Sequence, residues 1–372
     1  MSQINIRLKH CSYSIIVGSN LNRPLMSLFK KHLAGNRLFV FFDATVYALY
    51  GKNLEKQLIS KKVNYSSFVI PSGETNKSQT TLVKLYDFLL DHKISRTDFI
   101  LACGGGVTTD LVGYAAATVL RGIKWGVIST TLLGMVDAAI GGKTGINHKS
   151  GKNLIGAFWQ PSFVICDLNH LQTLPQRELI AGLGEILKYV GLTGNKKDYH
   201  RVCDYLKSEN LFDLPKLKPL VEAGVAYKAR IVMADERESH PRLFLNFGHT
   251  FAHAIEKTLG YGKLLHGEAV IIGILAAVIL SRKTRPASAS KFTEYEKLVK
   301  TFLGLVRYYP ISADMVLENM KIDKKRSGHI QKFVLLERPG KPFIAADLKE
   351  SMIKDALKKC LVAYRKIAAS HA

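Results

Sequence analysis

The chain is short of cysteine, of acidic residues and of long apolar runs, and each shortage excludes something. There are five cysteines in 372 residues, at Cys11, Cys103, Cys166, Cys203 and Cys360. They are odd in number, widely separated and include no Cys-x-x-Cys pair, which argues against a disulfide framework and for a reducing compartment. The longest apolar run, residues 269–280, is too short to cross a bilayer and reads as a buried helix. The first ten residues lack the continuous apolar segment of a secretion signal. The expected location is therefore the cytoplasm, with no membrane partner. Acidic residues number 30 against 53 Lys+Arg, a net charge of +23. Such an excess suits nucleic acid, an anionic surface or an anionic small molecule. Here the basic residues are scattered in short runs such as Lys30-Lys31 and Lys324-Lys325-Arg326. They are not interleaved with aromatics and show no zinc-finger spacing, so they read as a solvated basic surface without a nucleic-acid partner.

What is present is an ordinary globular composition, 47% hydrophobic and 22% charged. At roughly 100–200 residues per domain, the length predicts two domains. Apolar runs at 37–42, 67–71, 98–103 and 125–129 alternate with helical spacing over 78–92 and 107–120. Buried strands alternating with helices imply a parallel, doubly wound sheet. From about Pro175 the pattern changes: 178–192, 217–236, 249–259 and 268–281 all have helical periodicity. Strand signals are then few until 332–336, and 281–290 reads as a polar loop. The expected fold class is an α/β N-terminal nucleotide-binding domain with a parallel sheet plus a mostly α-helical C-terminal metal-binding domain, with the boundary between 172 and 173.

Gly104-Gly105-Gly106 closes the third strand and precedes a helix. Ligands of open parallel sheets sit beyond the carboxyl ends of the strands, and a helix N-terminus favours a pyrophosphate. The run fits a tight turn equally well, since Thr109 occupies the third position of the usual Gly-x-Gly-x-x-Gly. Pro71-Ser-Gly-Glu74-Thr-Asn-Lys77-Ser78 also links a strand to a helix. Its simplest role is an N-capped helix start; together the two loops favour a nucleotide.

The second half holds a metal-binding pattern. His249 and His253 stand at i and i+4, on one helix face. His266, followed by Gly267-Glu268, and Glu185, within Ala181-Gly-Leu-Gly-Glu185-Ile-Leu-Lys188, lie on other segments. Catalytic zinc usually keeps three protein ligands and an open position; spacing alone does not choose between His249 and His253. A metal in such a site acts as a Lewis acid on a carbonyl or alkoxide. Lys143, Lys152, Lys188, Lys228 and Arg242, gathered around it, would suit a substrate carrying a phosphate and a carboxylate.

These stretches together resemble the 3-dehydroquinate synthase family. The resemblance rests on Gly73-Glu-Thr-Asn-Lys-Ser78, Gly104-Gly-Gly-Val-Thr-Thr-Asp110, Arg121-Gly122, Thr130-Thr-Leu-Leu-Gly-Met-Val-Asp137 and Gly141-Gly-Lys-Thr-Gly-Ile-Asn-His148. It continues in Gly151-Lys-Asn-Leu-Ile-Gly-Ala-Phe158, Gly184-Glu-Ile-Leu-Lys188, Ala234-Asp-Glu-Arg-Glu238, Leu245-Asn-Phe-Gly-His-Thr250, Leu265-His-Gly-Glu-Ala269 and Asp323-Lys-Lys325. The resemblance implies NAD held by Asp43, Glu74, Lys77, Gly105, Gly106, Val107, Asp110, Thr130 and Thr131, with Lys143 and Lys152 alongside. It implies zinc, or cobalt in its place, on Glu185, His249 and His266, with His253 facing the substrate. Substrate would be bound by Lys143, Lys152, Asn153, Lys188, Lys228, Arg242, Asn246, His253 and Lys324 or its neighbour Lys325. Arg121 would reach across a homodimer, and Asp137, Lys143, Lys188 and His253 would be catalytic. The implied reaction converts 3-deoxy-D-arabino-heptulosonate 7-phosphate to 3-dehydroquinate and phosphate: transient oxidation by NAD, phosphate elimination, reduction and an intramolecular aldol step. Thr109 departs from the family's glycine, which implies a displaced phosphate loop; Gly134-Met135 and Lys149-Ser150 also depart. Other sugar-phosphate cyclases and metal-dependent polyol or glycerol-phosphate dehydrogenases are the alternatives that share these features.

Overall fold

The computed structural model describes residues 1–327 and 331–371, with side chains described for all of these except 322–327 and 371. The substrate contact expected of Lys324 or Lys325 falls outside the described residues. The chain forms two compact units, Met1–Pro175 with Leu217–Arg237, and Gln176–Lys216 with Glu238–Ala372.

In the first unit, β1 (Ser2–Arg7), β2 (Ser12–Gly18), β3 (Leu38–Asp43), β4 (Tyr65–Ile70), β5 (Phe99–Gly104), β6 (Lys124–Ser129) and β9 (Phe163–Asp167) form one sheet. Its order is β1-β2-β9-β6-β5-β3-β4. Every neighbouring pair runs parallel except β1 with β2. Phe39, Val40, Phe41 and Phe42 are all fully buried, because helices cover both faces of such a sheet and leave no polar side for alternation. The chain runs outward from β3 to β4 and then returns to place β5 on the other side of β3. That reversal is a switch point, where the carboxyl ends of β3 and β5 leave a crevice. Asp43 and Gly104 end those two strands.

The parallel sheet matches the expectation, and four of its strands were legible. β1, β2 and β9 were not, nor was the separate antiparallel hairpin of β7 (Lys143–His148) and β8 (Gly151–Phe158). β1 is largely exposed and polar, and β7 and β8 are glycine-rich, so neither gives a strong strand signal. The sequence pattern predicts one boundary at 172, whereas Leu217–Arg237 groups with the first unit. One tie is explicit: in the helix Leu214–Ala234, Lys228 Nζ donates to both the carbonyl oxygen and Oδ1 of Asp137, each at 2.6 Å.

The second unit is mostly helical: Gln176–Thr193, Lys196–Leu206, His249–Leu259, His266–Thr284, Thr293–Leu303, Ala313–Ser327 and Glu350–Ala368, with one hairpin of β10 (Phe333–Arg338) and β11 (Lys341–Ala345). The helix His266–Thr284 is buried from Gly267 through Val278, which accounts for the long apolar run in the sequence. It extends to Thr284 and is followed by 3-10 turns over Pro286–Phe292, where a polar loop was expected from 281. Ser281 is polar but fully buried; its hydroxyl donates to Ala277 O at 2.7 Å and accepts from Leu336 N at 3.0 Å. Among the described residues no helix is long and apolar enough to cross a membrane.

Candidate active site

In the second unit three helices each deliver one side chain able to ligate a metal. Glu185 lies in the middle of Gln176–Thr193 and is completely buried. His249 and His266 are the first residues of their helices. Gly248 sets up the first of these starts. Its φ of +81° disfavours any side chain, and a Cβ there would meet Ile274 N at 2.9 Å. His249 Nε2 lies 3.6 Å and His266 Nε2 3.8 Å from Glu185 Oε1. Tetrahedral zinc with bonds near 2.05 Å separates its ligand atoms by roughly 3.4 Å, so the three can close on one ion with small movements.

Two further observations test whether these residues fit a cation. Both oxygens of Glu185 are sealed from solvent, and neither has a well-directed hydrogen-bond donor among the described residues. Besides the histidines, Lys188, three residues on and itself buried, pairs its ammonium with Oε2. A buried carboxylate is costly unless positive charge compensates it, so the donor set suits a divalent cation. The histidines are oriented from behind. His249 Nδ1 is 3.2 Å from Phe247 O, and His266 Nδ1 is 3.1 Å from Glu256 Oε2. Both bonds hold a proton on Nδ1 and turn the Nε2 lone pair toward Glu185. His253 is exposed, with its ring centroid 5.6 Å from those of both His249 and His266. His249 thus approaches Glu185, while His253 stands beside the cluster, within ligand-atom reach of Glu256 and His266.

The turn that carries His266 is clamped. Arg177 Nε donates to Glu268 Oε1 at 2.8 Å and Nη2 to Oε2 at 2.7 Å; Nη2 also reaches Lys263 O. Leu265 N donates to Glu268 Oε2 at 2.7 Å. Nearby, Arg242 is almost wholly buried, and Asn246 Nδ2 donates to Glu238 Oε1 at 3.0 Å, with Glu238 at a left-handed φ of +62°. Arg177, Glu238, Glu256 and Glu268 were not singled out from the sequence as site residues. Glu256 had a usable signal: it lies seven residues, two helical turns, after His249 and so shares its face.

In the first unit the expected nucleotide residues collect at the carboxyl ends of the strands. Gly105 is the N-cap of the helix Gly106–Thr118. A Cβ on Gly105 would meet Thr131 Cγ2 at 2.8 Å, so this turn excludes side chains. It leaves free helix N–H groups where an anion can approach. Val107 is the second residue of that helix, and Thr130 N donates to Gly104 O at 3.1 Å. The departing Thr109 is buried within the helix, where its hydroxyl donates to Gly106 O at 3.1 Å. Lys77, also buried, donates from Nζ to Asp110 Oδ2 and Asn153 Oδ1, both at 2.5 Å. Burial pushes the Asp110 carboxyl up and the Lys77 ammonium pulls it back, with the net shift upward. Glu74 Oε1 accepts from Asn147 Nδ2 at 2.7 Å. Asp43 Oδ1 caps the next turn, accepting from Thr45 N at 2.9 Å and Ser72 Oγ at 2.8 Å.

The residues expected to touch substrate divide between the units. Asp137 lies on a π-turn, Gly134–Ala138, a geometry often found at functional sites, and it pairs with Lys228 as described. Lys143 starts β7 and is exposed; Lys152 lies on β8 and is half-buried. Arg121 is exposed on a turn in which Leu120, Arg121 and Gly122 have φ of +49°, +65° and +117°. Two consecutive non-glycine residues held left-handed are strained, as functional turns often are. Lys188, Arg242, Asn246 and His253 belong to the second unit.

Two family models match the chain, "3-dehydroquinate synthase N-terminal" over residues 67–181 and "3-dehydroquinate synthase C-terminal" over 182–326. A 3-dehydroquinate synthase of Neisseria meningitidis is 40% identical over 98% of this chain and 100% of its own length. That of Legionella pneumophila is 38% identical over 96% of both chains, and that of Nitrosomonas europaea 39% over 94% of both. Among solved structures, a 2-deoxy-scyllo-inosose synthase complexed with carbaglucose-6-phosphate, NAD+ and Co2+ has a TM-score of 0.86 at 23% identity, covering 96% of this chain and 100% of its own. The 2-epi-5-epi-valiolone synthase of Streptomyces hygroscopicus with NAD+ and Zn2+ bound has a TM-score of 0.81 at 27% identity, over 96% of this chain and 98% of its own. With both family models adjoining and the relatives aligned almost end to end, the chain belongs to the 3-dehydroquinate synthase family.

Proposed function

We propose that this chain converts 3-deoxy-D-arabino-heptulosonate 7-phosphate to 3-dehydroquinate and inorganic phosphate, using NAD as a recycled cofactor and zinc or cobalt as the metal. The observation that carries the reading is the buried Glu185 carboxylate facing two histidine Nε2 atoms, in a chain of this family. When bound, NAD supplies a reversible hydride acceptor and the metal a Lewis acid for developing negative charge on oxygen.

The chain's own residues do the rest. Glu185, His249 and His266 hold the metal; Lys188 offsets the charge of Glu185. The Gly105-Gly106 turn admits the pyrophosphate of NAD, Thr130 and Thr131 border it, and Asp43, Glu74 and Asp110 are carboxylate acceptors around it. Lys77, fixed between Asp110 and Asn153, keeps this loop set in place. Lys143, Lys152, Lys228 and Arg242 are the cations for the substrate's phosphate and carboxylate, and Asn153, Asn246 and His253 offer hydrogen bonds to its hydroxyls. Lys228, held by Asp137, can donate to substrate while Asp137 orients it. We further infer a cytoplasmic homodimer in which Arg121, exposed on its strained turn, serves the second copy's site.

The test is turnover with the seven-carbon phosphate, metal and NAD well below substrate concentration. Many phosphates released per NAD, with no net NADH, are expected. Stoichiometric NADH, or no phosphate, would mark a dehydrogenase or an unrelated activity.

A further inference from the structure

We infer that Glu256 is a positioning residue for the metal: it fixes the tautomer and direction of His266 from behind. This rests on the metal reading above. Glu256 stands on the helix His249–Leu259, is 2% exposed, and places Oε2 3.1 Å from His266 Nδ1. A buried carboxylate at that distance accepts the Nδ1 proton, so the Nε2 lone pair is the one presented to Glu185, 3.8 Å away. His249 receives the same treatment from a backbone carbonyl, which no substitution removes. For His266 the orienting acceptor is a side chain and can be tested.

The arrangement is economical in its rigidity. The helix that delivers His249 two turns earlier also delivers the acceptor that aims His266. Arg177 and Glu268 meanwhile clamp the turn on which His266 sits. Backbone and ring are thus fixed by different groups: Glu268 holds the turn and Glu256 the imidazole. The carboxylate also raises the basicity of the imidazole it holds, which tightens a divalent cation on Nε2.

One competing role exists, since Glu256 and His266 also lie with His253 in a group whose ligand atoms are within 4.8 Å of one another. In that role Glu256 would bind the ion itself, through the Nδ1 side of His266. The two roles predict different spectra.

The experiment measures zinc affinity of the full-length protein by competition with a chelating dye, and the visible spectrum of the cobalt-loaded form. Glu256→Leu is expected to weaken zinc binding about 10- to 100-fold. Glu256→Gln, whose amide oxygen still accepts the Nδ1 proton, is expected to recover most of that loss. At saturating cobalt both variants should give the wild-type d–d bands, because the ligands are unchanged. The thermal midpoint in excess chelator should stay near wild type, while the rise in midpoint on adding zinc shrinks. Should the leucine variant fail to fold, Glu256→Asp, which keeps the charge but withdraws it by one methylene, is expected to weaken zinc about tenfold. Zinc affinity equal to wild type in the leucine or aspartate variant overturns the inference. Altered cobalt bands in Glu256→Gln overturn it too, in favour of Glu256 as a ligand. A wild-type protein that binds no metal at all would instead sink the metal reading, so the two failures are distinguishable.

Discussion

The first unit builds its candidate site from backbone, the second from side chains. At the ends of β3 and β5 the working groups are a turn that excludes Cβ atoms, exposed helix N–H groups and capping carboxylates such as Asp43. In the second unit Glu185, His249 and His266 are carried by three rigid helices and aimed by Phe247 O, Glu256 and Lys188. The contrast follows from the ligands proposed for them. A dinucleotide's phosphates spread their charge over many oxygens, which rows of N–H groups can match. A divalent cation needs a few strong donors at fixed distance, which only oriented side chains provide. Substitutions should therefore damage the two sites through different readouts.

The largest effect is expected from Glu185→Gln. Losing one metal ligand forfeits several kcal/mol of charge stabilisation, so kcat should fall by about a thousandfold or more. NAD affinity, measured by nicotinamide-nucleotide titration, should remain near wild type. A parallel loss of NAD binding would break the separation of the two sites. Gly105→Ala should act the other way. A methyl group against Thr131 closes the turn, so the KM for NAD should rise about tenfold or more while metal content stays at wild type.

Asp98→Asn should leave both sites intact and lower stability instead. Asp98 accepts from Arg37 N at 3.0 Å, Arg37 Nη2 at 2.9 Å and Ser95 N at 2.8 Å, tying the start of β5 to that of β3. Loss of charge-assisted bonds of this kind costs about 1.5–3 kcal/mol, read by denaturant unfolding. Burial pushes the Asp98 carboxyl up, but the bonds from Ser95 and Arg37 outweigh it and its pKa is lowered. A lowered folded-state value means stability that is fully present above the unfolded carboxyl value of about 4 and is lost as pH falls through the folded value. The variant should therefore lose less stability than wild type on acidification below about pH 4.

The smallest effect concerns the thiols. Burial pushes Cys103 up to about 12 and raises Cys166 and Cys360 further. In the native protein near neutral pH, only Cys11 and Cys203, which are half-buried, should react with a thiol reagent; all five should react in denaturant. Native-state reaction of Cys103 or Cys166 would mean that the sheet opens locally and that the first unit's turn is less rigid than described.

The sequence made the second unit's chemistry more legible than its assignment. Periodicity put His249 and His253 on one face, because helical spacing is a local property. Which of them meets Glu185 depends on how three helices pack, and short-range spacing holds no record of that. The resemblance to a known family chose His249, whose Nε2 lies 3.6 Å from Glu185 Oε1. Glu256 was overlooked because a carboxylate on a helix usually reads as solvated, and its burial is a tertiary fact. In the first unit, β3, β5 and β6 were readable as apolar runs ending at turns. β9, in the middle of the sheet, was not, since its place between β2 and β6 is set by pairing with strands far away in the chain. The helix Leu214–Ala234 was readable as a helix, but its grouping with the first unit rests on contacts such as Lys228 with Asp137.

The central claim is that the metal belongs to the second unit's three side chains and the nucleotide to the first unit's turns. The most direct test measures metal content and NAD affinity together on one variant, His266→Ala. The account predicts a folded protein that has lost its metal and binds NAD within about twofold of wild type. Metal retained at one equivalent would contradict the ligand set, and NAD binding lost together with the metal would contradict the division between the two sites.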